Sequence, residues 1–357
     1  MTVQLRIVLD QLTQVADPDH AEAALALAAG LIDTAPRGCV VTALVPAGAA
    51  LDLPGVDSVR PLPLPRRELL ASWQLGIAPG VGGGLIHAPS LAAPLVRHDR
   101  MNDNDQTTVT LWDLRAWESP ELMPRAAAVW HKGMLRRAVK HADAVVVPTH
   151  AIAERLADIA SFGDRVRVIA GAAPRGFAEP VDAAERREAV SLPSSYVLVT
   201  GEGESFADGF RAAAQADVDA VVLDAVEGAE PALAELAAAS GLPERRAHIR
   251  GALDADDRAA VIAGASAVVA TSTSSSWPWR VVEAMTLGVP VVAVDSGVHR
   301  DVAADGGMLV DAGELTDALQ DALGDGHRRQ SVLASDRARA FSWTSSAERV
   351  WALHADL

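Results

Sequence analysis

A serine run, Ser274–Ser276, stands just ahead of a segment, Trp279-Arg280-Val281-Val282-Glu283, that reads as the start of a helix. Hydroxyls and backbone N–H groups at such a place can donate to a phosphate, and they can equally form a plain capping loop. Glu283 opens this helix, where a carboxylate either accepts two ligand hydroxyls at once or is simply favoured by the helix dipole. Trp277 and Trp279 flank Pro278 in the same loop; they can stack on a ligand or plug a pocket. Gly201, followed by Glu202, comes directly after the apolar run Tyr196–Thr200, and a residue without a side chain there lets backbone approach a ligand. In the first half, Asp113 follows Trp112 and a strand ending in Leu111, on the side of an expected cleft. His87 closes its own strand and reads either as cleft-facing or as a core-edge histidine.

Such residues need strands to hold them, and the chain supplies the rhythm of a parallel sheet. Short apolar runs alternate with long Ala-rich helical stretches. Strands are expected near Val3–Leu9, Cys39–Val45, Gly84–His87, Thr107–Leu111, Ala144–Val147 and Val166–Ile169, with helices such as His20–Asp33, Pro124–His141 and Ala151–Ile159. The second half repeats the pattern near Tyr196–Thr200, Ala220–Leu223, His248–Arg250, Ala267–Ala270, Val289–Val294 and Met308–Val310. Runs without alternation suit strands covered by helices on both faces. Leu53–Pro65 and Gly80–Gly84 read as loops. The stretch Gly171–Pro180 marks a boundary. The expected domains are 1–175, 176–335, and a helical end over 336–357 anchored by Trp343, Val350, Trp351 and Leu353.

Composition narrows the function. The chain has 357 residues, enough for two domains, and half of it is hydrophobic. A net charge of -16 repels nucleic acid and anionic lipid surfaces. Basic residues are nearly all arginine, with Lys only at Lys132 and Lys140, a bias typical of a GC-rich bacterial genome. Cys39 is the single cysteine, so no intrachain disulfide forms; the ten histidines share no metal-ligand spacing. No G-x-S-x-G or G-x-x-x-x-G-K-[ST] motif occurs. The start, MTVQLRIVLD, does not read as a signal peptide, and no apolar run is long enough to span a bilayer, so a cytoplasmic protein is expected.

Two segments carry a resemblance. One is His87–Val147, with TVTLWDL and RRAVKHADAVVVPTHAIAERL, followed by DRVRVIAGAAP; the other is Ser272–Asp311, STSSSWPWRVVEAMTLGVPVVAVDSGVHRDVAADGGMLVD. Both are similar to nucleotide-sugar-dependent glycosyltransferases of family 4, as is the closing FSWTSSAERVWALH. The resemblance implies the GT-B fold: two Rossmann-like α/β domains facing a cleft, with the last helix returning to the first domain. It implies transfer of a hexose from a UDP- or GDP-type sugar to a glycan, lipid or small-molecule hydroxyl, with retention and without metal or further cofactor. The family's ribose-binding glutamate falls on Glu283, and its phosphate-approaching glycine on Gly201. The donor side then includes Glu202, Ser274, Ser276, Trp277 and Arg280. Asp113 and Ser275 fall at the reacting centre, and His87 and Trp112 on the acceptor side.

Four positions depart from that pattern. The glutamate eight residues before Glu283 is replaced by Ser275, which brings no charge to a developing oxocarbenium centre. The Arg–Lys pair that neutralises the diphosphate falls on Phe206 and Ala207, and Arg211 and Arg280 are the nearby substitutes. The family's histidine before Asp113 is Trp112, which cannot take a proton. The Gly-Gly loop after the first strand is replaced by DQLTQVADPDHAEAA. Two readings follow: an active transferase with a modified site, and a catalytically weak or inactive relative acting as partner subunit, homo-oligomer member or sugar-nucleotide-binding module. A GT-B sugar-nucleotide epimerase fits the end-to-end frame less well.

Overall fold

The computed structural model describes residues 2–98 and 105–357. Contacts divide the chain into two compact units. The first is Met1–Gly171 with Ser275–Trp277 and Ser342–Leu357; the second is Ala172–Ser274 with Pro278–Phe341.

The first unit is built on strands β1 (Val3–Val8), β2 (Cys39–Val45), β3 (Ser58–Pro61), β4 (Leu85–Ala88), β5 (Gln106–Thr110), β6 (Ala144–Val147) and β7 (Val166–Val168). They form one parallel sheet in the order β3-β2-β1-β4-β5-β6-β7. The order reverses between β1 and β4, so the loops leaving these two strands diverge and leave a crevice at their carboxyl ends. The unbroken run of β6 is buried on both faces, as its lack of alternation requires. β3 lies inside the stretch Leu53–Pro65, which the sequence marked as a loop. It is an exposed edge strand containing Arg60 and Pro61, so it carries no apolar pattern and shows only through its pairing with β2.

The first helix, Pro18–Asp33, starts earlier than the periodicity indicated. Asp17 caps it by accepting from the His20 N–H at 3.1 Å, and Pro18 occupies the first helical position. The terminal stretch is broken where a continuous helix was expected. A helix over His327–Ala338 ends in the second unit, and a new one, Trp343–Asp356, starts from the Ser342 cap in the first unit. This last helix packs on Pro18–Asp33, and Trp351 donates through Nε1 to the Leu31 carbonyl at 3.0 Å. Gly30 makes the crossing possible: a Cβ there would lie 2.8 Å from the Trp343 carbonyl oxygen. Gly30→Val is therefore expected to cost about 1–3 kcal/mol by overpacking. A thermal melt checks this, and an unchanged midpoint would mean that the two helices do not meet this closely in solution.

The second unit holds β8 (Tyr196–Thr200), β9 (Asp219–Val222), β10 (Ala247–Ile249), β11 (Val268–Ala270), β12 (Val291–Val294) and β13 (Met308–Val310). The sheet is parallel in the order β10-β9-β8-β11-β12-β13, with its switch point between β8 and β11. Val197, Val199, Phe210, Val222, Val269, Val292 and Leu319 form the centre of its core. Among the described residues no helix is long and apolar enough to cross a membrane, and no cluster of three or more His, Cys, Asp or Glu is arranged to hold a metal ion.

Candidate functional site

In the second unit the switch point brings Gly201, after β8, against Thr271, after β11. A Cβ on Gly201 would lie 2.6 Å from Thr271 Oγ1 and 2.9 Å from Ser205 Oγ, so only glycine fits. Glu202 beside it is committed locally. Its side chain accepts from the Ser205 N–H while its own N–H donates to Ser205 Oγ at 2.8 Å, a reciprocal cap on the turn Gly203–Ser205 that leads into the helix Phe206–Gln215. A resident carboxylate thus sits at the helix start, where an anionic ligand would otherwise be drawn. Phe206, where the resemblance implies a cation, stacks on Phe210 with ring centroids 6.0 Å apart and packs on the core. Arg211 pairs on the surface with Asp208 at 2.5 Å.

Ser274 folds back on Ser272: the two Oγ atoms are 2.9 Å apart, and the Ser274 N–H donates to Ser272 Oγ at 3.2 Å. Glu283 lies in the second turn of the helix Trp279–Thr286 rather than at its opening, because Trp279 already begins the helix. It is only 1% exposed, too deep and too far along for the helix dipole to explain it. Glu283 Oε1 accepts from Arg258 Nε at 3.0 Å, and Oε2 accepts from Arg280 Nη1 at 2.5 Å. Arg280 donates through Nε to Asp224 Oδ2 at 2.7 Å, and the Arg258 guanidinium lies 5.7 Å from the Phe177 ring centroid. Two guanidinium and two carboxylate groups therefore balance one another, with Arg258, Arg280 and Glu283 buried and Asp224 at the exposed end.

In the first unit, residues 275–277 run antiparallel to 112–114. Asp113 bridges Ser276, the Leu114 N–H donates to the Ser275 carbonyl at 2.9 Å, and the Trp277 N–H donates to the Trp112 carbonyl at 2.9 Å. The Ser275 N–H and hydroxyl both donate to Glu118, each at 2.9 Å, and Arg155 Nε donates to the same carboxylate at 2.9 Å. A carboxylate thus stands at Ser275 after all, brought there by a different element. Trp277 is 2% exposed and lies against Gly171, where a Cβ would meet its Nε1 at 2.9 Å. Trp112 is buried, donates from Nε1 to the Pro89 carbonyl at 2.9 Å, and meets Trp343 edge-on at 6.2 Å.

Asp113 belongs to a charged cluster. Arg115 Nη2 reaches Asp113 Oδ2 at 3.1 Å and Asp17 Oδ2 at 2.9 Å, and His20 Nε2 lies 3.5 Å from Asp113 Oδ2. Burial pushes the Asp113 carboxyl up, but the charges of Arg115 and His20 outweigh it and hold it below the usual range. Asp17 is held down to about 2: burial opposes this, while His20 and Arg115 prevail. His87 has no exposed surface. Its Nδ1 is 2.7 Å from Thr108 Oγ1, and its ring centroid is 5.9 Å from that of His354.

The folded chain thus gathers Asp113, Ser275, Ser276, Trp277 and Trp112 in the first unit; in the second, Arg280 and Glu283 meet directly, while Gly201 with Glu202 and Ser274 with Ser272 make their own local contacts. His87 stands apart from both groups, in the core. Sequence reasoning missed Glu118, Arg258 and Asp224. Only Arg258 left a trace there, as an arginine on the apolar side of the helix Ala255–Ala263.

Residues 204–325 match the family described as Glycosyl transferases group 1. Similar solved structures include a sucrose-phosphate synthase from Thermosynechococcus elongatus, with a TM-score of 0.68 and 19% identity, covering 99% of this chain and 98% of that one. Anabaena HepE in complex with UDP-glucose aligns at a TM-score of 0.68 and 17% identity over 99% of this chain and 100% of that one. WaaG, a glycosyltransferase involved in lipopolysaccharide biosynthesis, aligns at 0.60 and 14%, covering 97% and 98%. The chain has the GT-B fold. Among curated proteins no match was found. On the GT-B frame, the group 1 match spans Ser274, Arg280 and Glu283 in the second unit and, from the first, Ser275–Trp277.

Proposed function

We propose that the chain is a retaining, metal-independent glycosyltransferase that moves a hexose from a nucleotide-diphosphate sugar to a hydroxyl acceptor. The group 1 match over residues 204–325 carries this reading. Its donor side is Gly201, Ser274, Ser276, Arg280 and Glu283, and Asp113 and Ser275 belong to the reacting centre. Glu118, hydrogen-bonded to Ser275, supplies the carboxylate that position 275 itself lacks. UDP is the expected nucleotide, since HepE was solved with UDP-glucose.

One observation favours a second reading, a catalytically weak or inactive homologue acting as partner subunit or sugar-nucleotide-binding module. Both oxygens of Glu283 are taken by arginines, and ribose hydroxyls would have to compete with charge-assisted bonds. Calorimetric titration with UDP, GDP and their glucose, N-acetylglucosamine and mannose derivatives separates the two. The transferase reading expects one of them to bind with a Kd of roughly 1–100 μM, about 5.5–8 kcal/mol. No binding to any, by a protein that melts cooperatively, would sink it in favour of a partner subunit, and binding without turnover of the bound sugar would favour a sugar-nucleotide-binding module.

A further inference from the structure

The crevice at the switch point of the first sheet is a real pocket of about 380 Å³, within the usual range for small-molecule sites. It lies wholly inside the first unit. Its walls are mostly apolar and include Leu12 and Val15 from the loop after β1, Ala24 and Leu25 from the first helix, and Pro89 after β4. Val15 is exposed although apolar, because it forms one edge of the mouth.

The polar groups here are largely committed to the protein. Gln11 Oε1 accepts from the N–H groups of Ala16 and Asp17, at 2.8 and 3.0 Å, and this shapes the loop. Asp17 caps the helix start, so the helix does not offer its N-terminus to an anion. Asp10 holds Arg66 at 2.9 Å. Asp10 and Glu22 are the charged groups among the lining residues, with no lysine or arginine among those described. His20 also faces the pocket, with Asp113 at 3.5 Å and Asp17 at 3.8 Å, and an imidazole can exchange a hydrogen bond with a ligand hydroxyl.

We infer that this pocket selects an uncharged acceptor, a hydroxyl-bearing molecule with an apolar body, and rejects phosphorylated ones. An anion would meet the carboxylates of Asp10 and Glu22, while the basic groups nearest them, Arg66 and His20, already face Asp10, Asp17 and Asp113, and the pocket is too apolar to hydrate it well. Naming the occupant the acceptor rests on the transferase reading; the chemistry of the pocket does not.

The test uses the whole chain without nucleotide and two probes with the same tail, n-octyl β-D-glucopyranoside and n-octyl phosphate, below their micelle concentrations. Ligand-observed NMR titration is expected to show the glucoside binding at least tenfold more tightly than the phosphate. Ala24→Phe, which fills the pocket, and Leu12→Asp, which adds charge to its loop, are each expected to weaken the glucoside at least tenfold. Thermal melts establish that each variant is folded, and the loop variant serves if the helix variant is not. Equal binding of the two probes overturns the charge selection. Undiminished binding in a folded variant, or no binding of either probe to the wild type, overturns the pocket. Such failure in a protein that still titrates a nucleotide sugar leaves the transferase reading standing.

Discussion

Glu283→Ala is expected to lower the melting temperature of the second unit by roughly 10 °C. The substitution removes the carboxylate shared by Arg258 and Arg280 and leaves two guanidinium groups, 4% and 9% exposed, short of their counter-charge. Breaking a buried ionic network this way costs about 3–5 kcal/mol, and in a unit of this size each kcal/mol shifts the midpoint by about 2–4 °C. Arg280 retains a second carboxylate, through Asp224. The matching triple variant, Arg258→Met with Glu283→Leu and Arg280→Met, is expected to melt at or above the wild-type temperature, because packed apolar groups avoid the desolvation cost altogether. Scanning calorimetry on both proteins checks the pair. A Glu283→Ala protein with an unchanged melt would mean that the network is open to water and that Glu283 stays available to a ligand.

Acidification should destabilise the first unit well before its carboxylates titrate. His87 and His354 lie in its core, linked through Thr108, whose Oγ1 is 2.7 Å from His87 Nδ1 and 3.2 Å from His354 Nε2. Burial, with His354 nearby, pushes His87 down to about 3, and burial pushes His354 down to about 4. In the unfolded chain both return to about 6.5. Above that pH neither state binds a proton at these sites, and stability does not depend on them. Below it the unfolded chain takes up protons that the native core refuses, so stability falls with pH until the native imidazoles titrate near 4 and 3. At pH 5 each residue costs on the order of 2 kcal/mol, and the pair about 4 kcal/mol. Asp10, whose carboxyl burial pushes up, acts in the opposite direction and offsets part of the loss. Urea titrations at pH 7.5 and pH 5.0 should show the difference, and His87→Leu with His354→Leu should largely flatten it. A first-unit stability equal at the two pH values would mean that water reaches the pair.

How much of this was legible in the sequence differs by element. β2, β6, β8 and β13 fall on the residues expected for them, because a glycine, a proline or a polar residue bounds each run at both ends. β3 was not legible, since an exposed edge strand has no buried face to impose a pattern. Gly201 was legible as a close-approach glycine, and the structure shows what approaches it, Thr271 and Ser205. Glu283 was legible as a carboxylate near a helix start, but neither its depth in the second turn nor its arginine partners were.

The sequence by itself determined two parallel sheets with helices between their strands. Val- and Ala-rich runs of strand length alternate with helix-length periodic stretches, and that signal is local. Only the tertiary structure decided how the site charges are used. Glu283 meets Arg258 across 25 positions, Arg280 meets Asp224 across 56, and Ser275 meets Glu118 across 157. Each acidic and basic residue in the chain has many possible partners at such separations, and nothing in composition or spacing ranks them. The choice is made by the strand order, which sets the loops that lie side by side, and by the low dielectric of the interior, which makes an unpaired buried charge costly.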